Sequence, residues 1–218
     1  MSDYVVICVE TANENAASIC QLEFTSVKNG RAVGRLSKNI DPKDEFDPFF
    51  SRIHGIGPDA LGRAIEFSAI CKELFDMMEG QIVVTPSIFD RIAFTKAARK
   101  NNLTVPKVKW LDLTYVIKNS WPECRDAGYT LRAIAEHLSI ESSKQGTLQK
   151  AGLVVDIVQR ALAASANNIT DWIEPCGGSS ALALTDENNG CKGEFDGEEL
   201  VFDGEFYAPV EVYSRLAA

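Results

Sequence analysis

Residues 4–24 read YVVICVETANENAASICQLEF. Its first part, from Val5 to Val9, is a continuous apolar run. A run of this kind predicts a central β-strand whose two faces are both covered by other elements. The run ends at a carboxylate, Glu10, and burying a carboxylate is costly unless a partner compensates for it. Glu10 therefore lies either at a solvent-facing strand end or in a functional site.

Composition predicts a globular protein with one hydrophobic core. The chain has 218 residues, of which 45% are hydrophobic and 24% charged. We find no apolar stretch of membrane-span length and no basic N-terminal flank, so we expect a cytoplasmic protein without a membrane partner. The net charge of -9 argues against a broad basic surface for nucleic acid, although a narrow groove for one strand end stays possible.

The cysteine pattern favours reduced, mostly buried thiols. The six cysteines are scattered, with no C-x-x-C pair and no histidine at metal-ligand spacing.

The order of predicted elements indicates an α/β fold. Strands are predicted over 3–10, 18–27 and 31–40, which together form an antiparallel meander. Helices and strands then alternate, with apolar residues at helical spacing over 66–78 and a strand over 81–85. We therefore predict a mixed five-stranded sheet with helices on both faces.

Composition also suggests three segments. Residues 1–174 form the predicted domain. Residues 175–197 are rich in Gly, Ser, Asn and acidic residues, which is typical of a linker. Residues 198–218 offer one predicted strand and one predicted helix, which are too few to bury a core of their own.

Several short motifs together resemble those of one enzyme family. They are VETANENAASICQLEF at 9–24, IHGI at 53–56, FDRIAF at 89–94, WLDLTYV at 110–116 and the Gly-Tyr-x-Leu segment at 128–131. In this order they resemble the DnaQ-like 3′–5′ exonucleases of the DEDDh group, over roughly residues 3 to 173. The resemblance implies a ribonuclease H-like fold.

The resemblance also implies phosphodiester hydrolysis with two metal ions, Mg²⁺ or Mn²⁺. Such ions prefer hard oxygen ligands, and the family supplies four carboxylates together with a histidine general base. Glu10 matches the glutamate of the first motif and Asp90 the aspartate of the second. Cys8 stands at the position of the first aspartate, where a thiol is a poor ligand for Mg²⁺.

The third motif can be aligned in two registers. Without a gap, Lys150 takes the position of the final aspartate and Gln145 that of the histidine. With one gap, Asp156 becomes the final acidic ligand, and the histidine is lost as well. A lysine ammonium beside a metal site opposes cation binding, so we expect no metal cofactor to be retained, and Mg²⁺ or Mn²⁺ only if the protein is active.

Each of these residues also has a structural interpretation. Glu10 could be a strand-end charge and Asp90 an acid in the first turn of a helix. Cys8 is expected to fill core space. Structural roles are also expected for three further residues: Asp112, His54 and His137. We expect three residues to contact nucleic acid: Thr11, Phe89 and Lys150.

The C-terminal segment bears a weak resemblance to a BRCT domain. GEELVFDGEF at 197–206 is similar to the opening of such a domain, with Asp203 where a phosphate-binding threonine belongs. An aspartate there repels phosphate. We expect a truncated remnant.

Three functions follow from this pattern. The leading hypothesis is a catalytically impaired 3′–5′ exonuclease homologue that binds a single-stranded DNA or RNA 3′ end, or a protein partner. The first alternative is a metal-dependent exonuclease of low activity that uses Glu10, Asp90 and Asp156. The second alternative is a protein-interaction module.

Overall fold

A mixed six-stranded sheet lies at the centre of the computed structural model, which describes residues 3–126, 128–140 and 150–173 and the backbone of 201–202 and 205–206. The strand order is β4-β3-β2-β1-β5-β6. The strands are β1 (Tyr4–Thr11), β2 (Ile19–Lys28), β3 (Arg31–Asp41), β4 (Ile65–Glu66), β5 (Ile82–Thr85) and β6 (Lys109–Asp112). β1 to β3 form the expected antiparallel meander, and β5 and β6 continue it in parallel.

The central position of β1 follows from its apolar run. β1 pairs antiparallel with β2 and parallel with β5, and seven of its eight residues are buried. Alternate side chains of a strand point to opposite faces, so β1 contributes to two separate cores. The prediction of a strand covered on both faces is confirmed.

Helices cover the two faces of the sheet. One core is closed by α2 (Phe67–Met78) and α3 (Ile88–Lys100). The other is closed by α4 (Leu113–Ser120), α5 (Leu131–His137) and α6 (Lys150–Ala164). A further helix, α1 (Pro48–His54), and three short 3₁₀-helices, Pro58–Arg63, Pro122–Arg125 and Ile169–Trp172, lie in the connections. The mixed α/β fold with helices on both faces is confirmed.

Two elements differ from the sequence-based expectation. The sheet has a sixth strand, β4, but a strand of two residues is too short to show an alternating pattern. Residues 113–120 form α4, which was not predicted as a helix. Thr114, Val116 and Ile117 within it are β-branched and therefore obscure the helical signal.

None of the helices in the described residues is both long enough and apolar enough to cross a bilayer.

Two short strands are described in the C-terminal segment, where we expected one strand and a helix. β7 (Val201–Phe202) pairs antiparallel with β8 (Glu205–Phe206). The linker at 175–197, Asp203 and the expected helix lie outside the described residues, so the three-segment division and the BRCT-like remnant stay predictions.

Candidate functional site

Glu10 lies near the end of β1, at a break in strand pairing. It pairs with Gln21, and the register between β1 and β2 shifts between Glu10 and Thr11. Such bulges redirect side chains and are common beside functional sites. The Glu10 side chain is only 17% exposed, so it is not the freely solvated strand-end charge of the structural interpretation.

Asp90 is held by the start of α3. Asp90 and Ser87 form a capping box, in which one Asp90 oxygen, Oδ2, accepts hydrogen bonds from the Ser87 hydroxyl at 3.0 Å and the Ser87 amide at 3.3 Å. The other oxygen, Oδ1, accepts from the Val9 amide at 3.1 Å, which ties α3 to β1. Burial raises the pKa of Asp90, although the nearby Lys150 and these hydrogen bonds oppose the rise.

Lys150, the first residue of α6, lies between these two carboxylates. Its Nζ atom donates to Oε1 of Glu10 at 3.0 Å and to the carbonyl of Val9 at 3.2 Å, and it lies 3.7 Å from Oδ1 of Asp90. The side chain is 31% exposed. Burial by itself disfavours the charge, but the Asp90 and Glu10 carboxylates outweigh it and raise the pKa of Lys150 above its ordinary range. The ammonium is therefore charged at neutral pH and compensates for both acids.

Glu23 is a buried acid that the sequence reasoning missed. It lies opposite Cys8 in the β1–β2 pairing, and its Oε2 atom accepts a hydrogen bond from the Ala151 amide at 2.9 Å. The first amides of a helix have no partner within the helix, so this bond satisfies one of them. It fixes the start of α6 and thereby places Lys150. The signal was present: a charged residue in the apolar strand sequence ICQLEF.

Cys8 occupies the core beside these charged groups. It is 1% exposed, and burial raises the pKa of its thiol well above the ordinary value. The thiol is therefore neutral at physiological pH, which fits the interpretation that it fills core space.

Asp156 lies away from the Glu10–Asp90 pair. It is exposed on α6, and its charge helps to raise the pKa of Tyr4, which burial raises to about 12. Tyr4 begins β1 and Glu10 lies six residues further on, roughly 20 Å along an extended strand. The structure thus brings Lys150, and not Asp156, to the two carboxylates. Gln145 lies outside the described residues.

Thr11 and Phe89, which we expected to contact nucleic acid, are buried. Thr11 is fully buried, and its carbonyl accepts a hydrogen bond from Nε2 of His54 at 3.1 Å. The Nδ1 atom of His54 accepts from the Ile56 amide at 3.2 Å, so the ring is neutral, and burial lowers its pKa. Phe89 is 8% exposed and packs in the core under α3. His54 thus anchors its loop, as expected.

A small apolar surface lies beside His54. Phe49 and Ile53, one helical turn apart on α1, are 47% and 44% exposed, and Leu61 in the following 3₁₀-helix is 42% exposed. Because His54 is bonded to Thr11, this surface is joined to the end of β1 that carries Glu10. Sequence reasoning did not single out these residues, because exposure depends on how the loop folds.

Asp112 has the structural role expected for it. It caps α4, since its Oδ1 accepts a hydrogen bond from the Thr114 amide at 2.8 Å. Burial raises its pKa to about 6, although this hydrogen bond opposes the rise.

The sequence of the chain matches known exonucleases. A family model described as Exonuclease, of RNase T type, matches residues 5–145. Two similar proteins, both named 3'-5' exonuclease DinG, come from Bacillus subtilis and Staphylococcus saprophyticus. They are 26% and 25% identical over 141 and 136 residues, which is 63% and 61% of this chain. The match spans only 15% of the length of each relative.

Solved structures show the same fold. Exonuclease X in complex with 5' overhanging duplex DNA superposes with a TM-score of 0.63 at 13% identity, over 78% of this chain and 98% of that one. A 3'-exonuclease solved for its 3'-end specific recognition of histone mRNA stem-loop gives 0.62 at 15% identity, over 95% of this chain and 74% of that one. On the family match and on this fold, the chain belongs to the RNase T-type exonuclease family.

Proposed function

We propose that this protein is an exonuclease homologue that binds nucleic-acid ends without hydrolysing them, because a lysine ammonium has replaced the catalytic metals. The observation that carries this proposal is the position of Lys150, 3.0 Å from Glu10 and 3.7 Å from Asp90. These are the two acids that match the metal ligands of the family. A positive charge already satisfies both.

Electrostatics supports the loss of metal binding. An ammonium and a divalent ion about 4 Å apart repel each other by roughly 8 kcal/mol at an effective dielectric constant of 20. Displacing Lys150 from the pair would instead break its hydrogen bonds to Glu10 and to the Val9 carbonyl. Binding of Mg²⁺ or Mn²⁺ is therefore unfavourable whether Lys150 stays beside the two acids or is displaced from them.

The remaining donors support the same conclusion. Cys8 is a neutral thiol, and Glu23 is engaged with the start of α6. Within the described part of the chain, neither Glu10 nor Asp90 belongs to a group of three potential ligands whose donor atoms all lie within 4.8 Å of one another. The described residues at Glu10 and Asp90 therefore do not fit a pair of metal ions.

Retained binding is supported by the surface beside the site. The exposed side chains of Phe49 and Ile53 offer a face on which a terminal base can pack, and aromatic stacking is the usual platform for single strands. Of the structural relatives, Exonuclease X is in complex with 5' overhanging duplex DNA, and the 3'-exonuclease recognises a histone mRNA stem-loop. Because the net charge of -9 argues against a broad nucleic-acid surface, the proposal is confined to binding at a strand end.

The test compares hydrolysis and binding on the same 5′-labelled single-stranded oligonucleotides, one DNA and one RNA. We expect no shortened products with Mg²⁺ or Mn²⁺, while fluorescence anisotropy reports binding that weakens with salt. Hydrolysis that Glu10→Gln or Asp90→Asn abolishes would contradict the proposal and establish the low-activity exonuclease. Neither hydrolysis nor binding would leave the interaction module.

A pair of surface variants locates the binding. Phe49→Ala removes an exposed ring of the apolar surface, whereas Val33→Ala truncates an exposed side chain on β3, which is 59% exposed. We expect only Phe49→Ala to weaken binding, by about 5- to 150-fold, because base stacking contributes about 1 to 3 kcal/mol per base. Equal effects of the two variants would show that the strand binds elsewhere.

A further inference from the structure

A second cluster of potential metal ligands lies away from the Lys150 site. The donor atoms of Glu123, Cys124 and His137 all lie within 4.8 Å of one another. Glu123 and Cys124 belong to the 3₁₀-helix Pro122–Arg125, and His137 is the last residue of α5. Nε2 of His137 lies 3.5 Å from Oε1 of Glu123. Among the described residues, this is the one such group of three.

The donor set selects a class of metal. A thiolate, an imidazole and a carboxylate together are typical ligands of Zn²⁺, which binds in tetrahedral geometry. The hard ions Mg²⁺ and Ca²⁺ avoid sulfur and bind oxygen instead. Three protein ligands leave the fourth position for water or for another ligand. The cluster therefore suits zinc and its substitute cobalt, and does not suit the metals of exonuclease catalysis.

The exposure of the three side chains also suits metal binding. Cys124 is 3% exposed, which protects the sulfur from solvent. The side chains of Glu123 and His137 are 59% and 40% exposed, so an ion can reach the cluster from solvent. The backbone around the cysteine is already folded, since the Cys124 amide donates to the Trp121 carbonyl at 3.0 Å.

We propose that Glu123, Cys124 and His137 form a zinc-binding site. Binding releases the thiol proton of Cys124, and the thiolate, imidazole and carboxylate then hold the ion. The ion clips the 3₁₀-helix at 122–125 to the end of α5. α5 packs on α6, which begins at Lys150. The bound ion therefore stabilises the packing that positions the Lys150 ammonium.

Cobalt titration of the full chain tests the site, since a thiolate bound to Co²⁺ gives a charge-transfer absorption in the near ultraviolet. We expect this absorption to saturate at one equivalent and to disappear when Zn²⁺ is added. Cys124→Ser should abolish it. His137→Gln should weaken Co²⁺ binding by at least about 100-fold, because losing even an outer hydrogen-bond partner of a ligand costs 10- to 100-fold.

A matched control removes a neighbouring acid that is outside the cluster. Glu136 precedes His137 and pairs with Arg132 at 3.0 Å, so Glu136→Gln should leave the absorption and the affinity unchanged. Glu123→Gln should weaken binding instead. If Cys124→Ser does not fold, the variants at the two exposed positions, Glu123→Gln and His137→Gln, still test the site.

Two results would overturn the proposal. One is the absence of a thiolate–Co²⁺ absorption at saturating Co²⁺. The other is an absorption that survives in His137→Gln and Glu123→Gln with unchanged affinity, since it would then come from another of the six cysteines.

Discussion

The ammonium of Lys150 lies 3.0 Å from the carboxylate of Glu10, although the two residues are 140 positions apart in the sequence. Asp90 completes the arrangement at 3.7 Å from the same ammonium. One lysine from the start of α6 thus contacts two acids presented by β1 and α3. Under the proposed function, this ammonium stands in the place of an exchangeable metal cation.

Removing the Lys150 charge should destabilise the fold. Lys150→Met leaves Asp90, whose side chain is 4% exposed, without its counter-charge. Breaking a buried ion pair costs 3 to 5 kcal/mol, and the partial exposure of Lys150 reduces this to about 2 to 4 kcal/mol. The measurement is the free energy of unfolding from urea denaturation at pH 7. Lys72→Met, at an exposed lysine of α2, is the control and should change it little.

A double variant that also changes Asp90 tests whether the stability lost in Lys150→Met is electrostatic. Adding Asp90→Asn to Lys150→Met removes the stranded charge while keeping a side chain that can accept the Val9 hydrogen bond. The double variant should therefore be more stable than the sum of the two single changes indicates. Simple additivity would show that Lys150 contributes through packing alone.

Glu23 should matter as a hydrogen-bond acceptor more than as a charge. Glu23→Leu leaves the buried amide of Ala151 without its partner and should cost about 1 to 3 kcal/mol. Glu23→Gln keeps an acceptor oxygen and should cost less, because burial already disfavours the Glu23 charge and raises its pKa. Urea denaturation of both variants measures the difference. Equal losses would argue against the capping role.

Because the pKa of Asp112 is raised, we expect the stability of the fold to depend on pH. Its pKa is raised to about 6 in the folded protein by burial, compared with about 3.9 in an unfolded chain. Between these values the folded state retains a proton that the unfolded state releases, so this group lowers stability as pH rises from about 4 to 6. Asp112→Asn removes the effect and keeps an acceptor for the Thr114 amide.

The measurement compares unfolding free energies at several pH values. Relative to the wild type, Asp112→Asn should gain stability as pH rises from 4 to 7. Asp47→Asn, at the exposed N-cap of α1, controls for replacing a capping carboxylate. If the unfolding free energies of Asp112→Asn and the wild type differ by the same amount at every pH from 4 to 7, the pH dependence does not come from Asp112.

Restoring the family residues should create a nuclease. Cys8→Asp, Gln145→His and Lys150→Asp together supply the missing acids and base of the ungapped register and remove the opposing ammonium. We expect Mg²⁺- or Mn²⁺-dependent shortening of a single strand, measured by gel electrophoresis. The same triple variant with Asp90→Asn is the inactive control. A folded triple variant without activity would show that this register is wrong.

The sequence predicts local features well where the pattern is local. The apolar run from Val5 to Val9 specifies β1 because strand alternation and burial act over neighbouring residues. The contact of Lys150 with Glu10 followed only from a resemblance, since no spacing rule joins residues so far apart. The cap supplied by Glu23 was missed for the same reason, because its partner Ala151 arrives from α6.

Exposure was the weakest part of the sequence-based account. Thr11 and Phe89 lie in motifs that suggested contact with nucleic acid, yet both are buried. Phe49, in contrast, lies on the short helix α1, in a stretch of sequence with no clear pattern, and is exposed. Burial depends on how β1, α1 and α3 pack together, and this packing is not encoded in the spacing of single motifs.

Manganese titration measures whether the Lys150 ammonium excludes a metal ion from Glu10 and Asp90. Electron paramagnetic resonance counts free Mn²⁺ as wild type, Asp90→Asn or Lys150→Ser is added. We predict identical curves for wild type and Asp90→Asn, because the ammonium already occupies the cation position, and additional Mn²⁺ binding only in Lys150→Ser. Two equivalents of Mn²⁺ bound by the wild type and lost in Asp90→Asn would contradict the account.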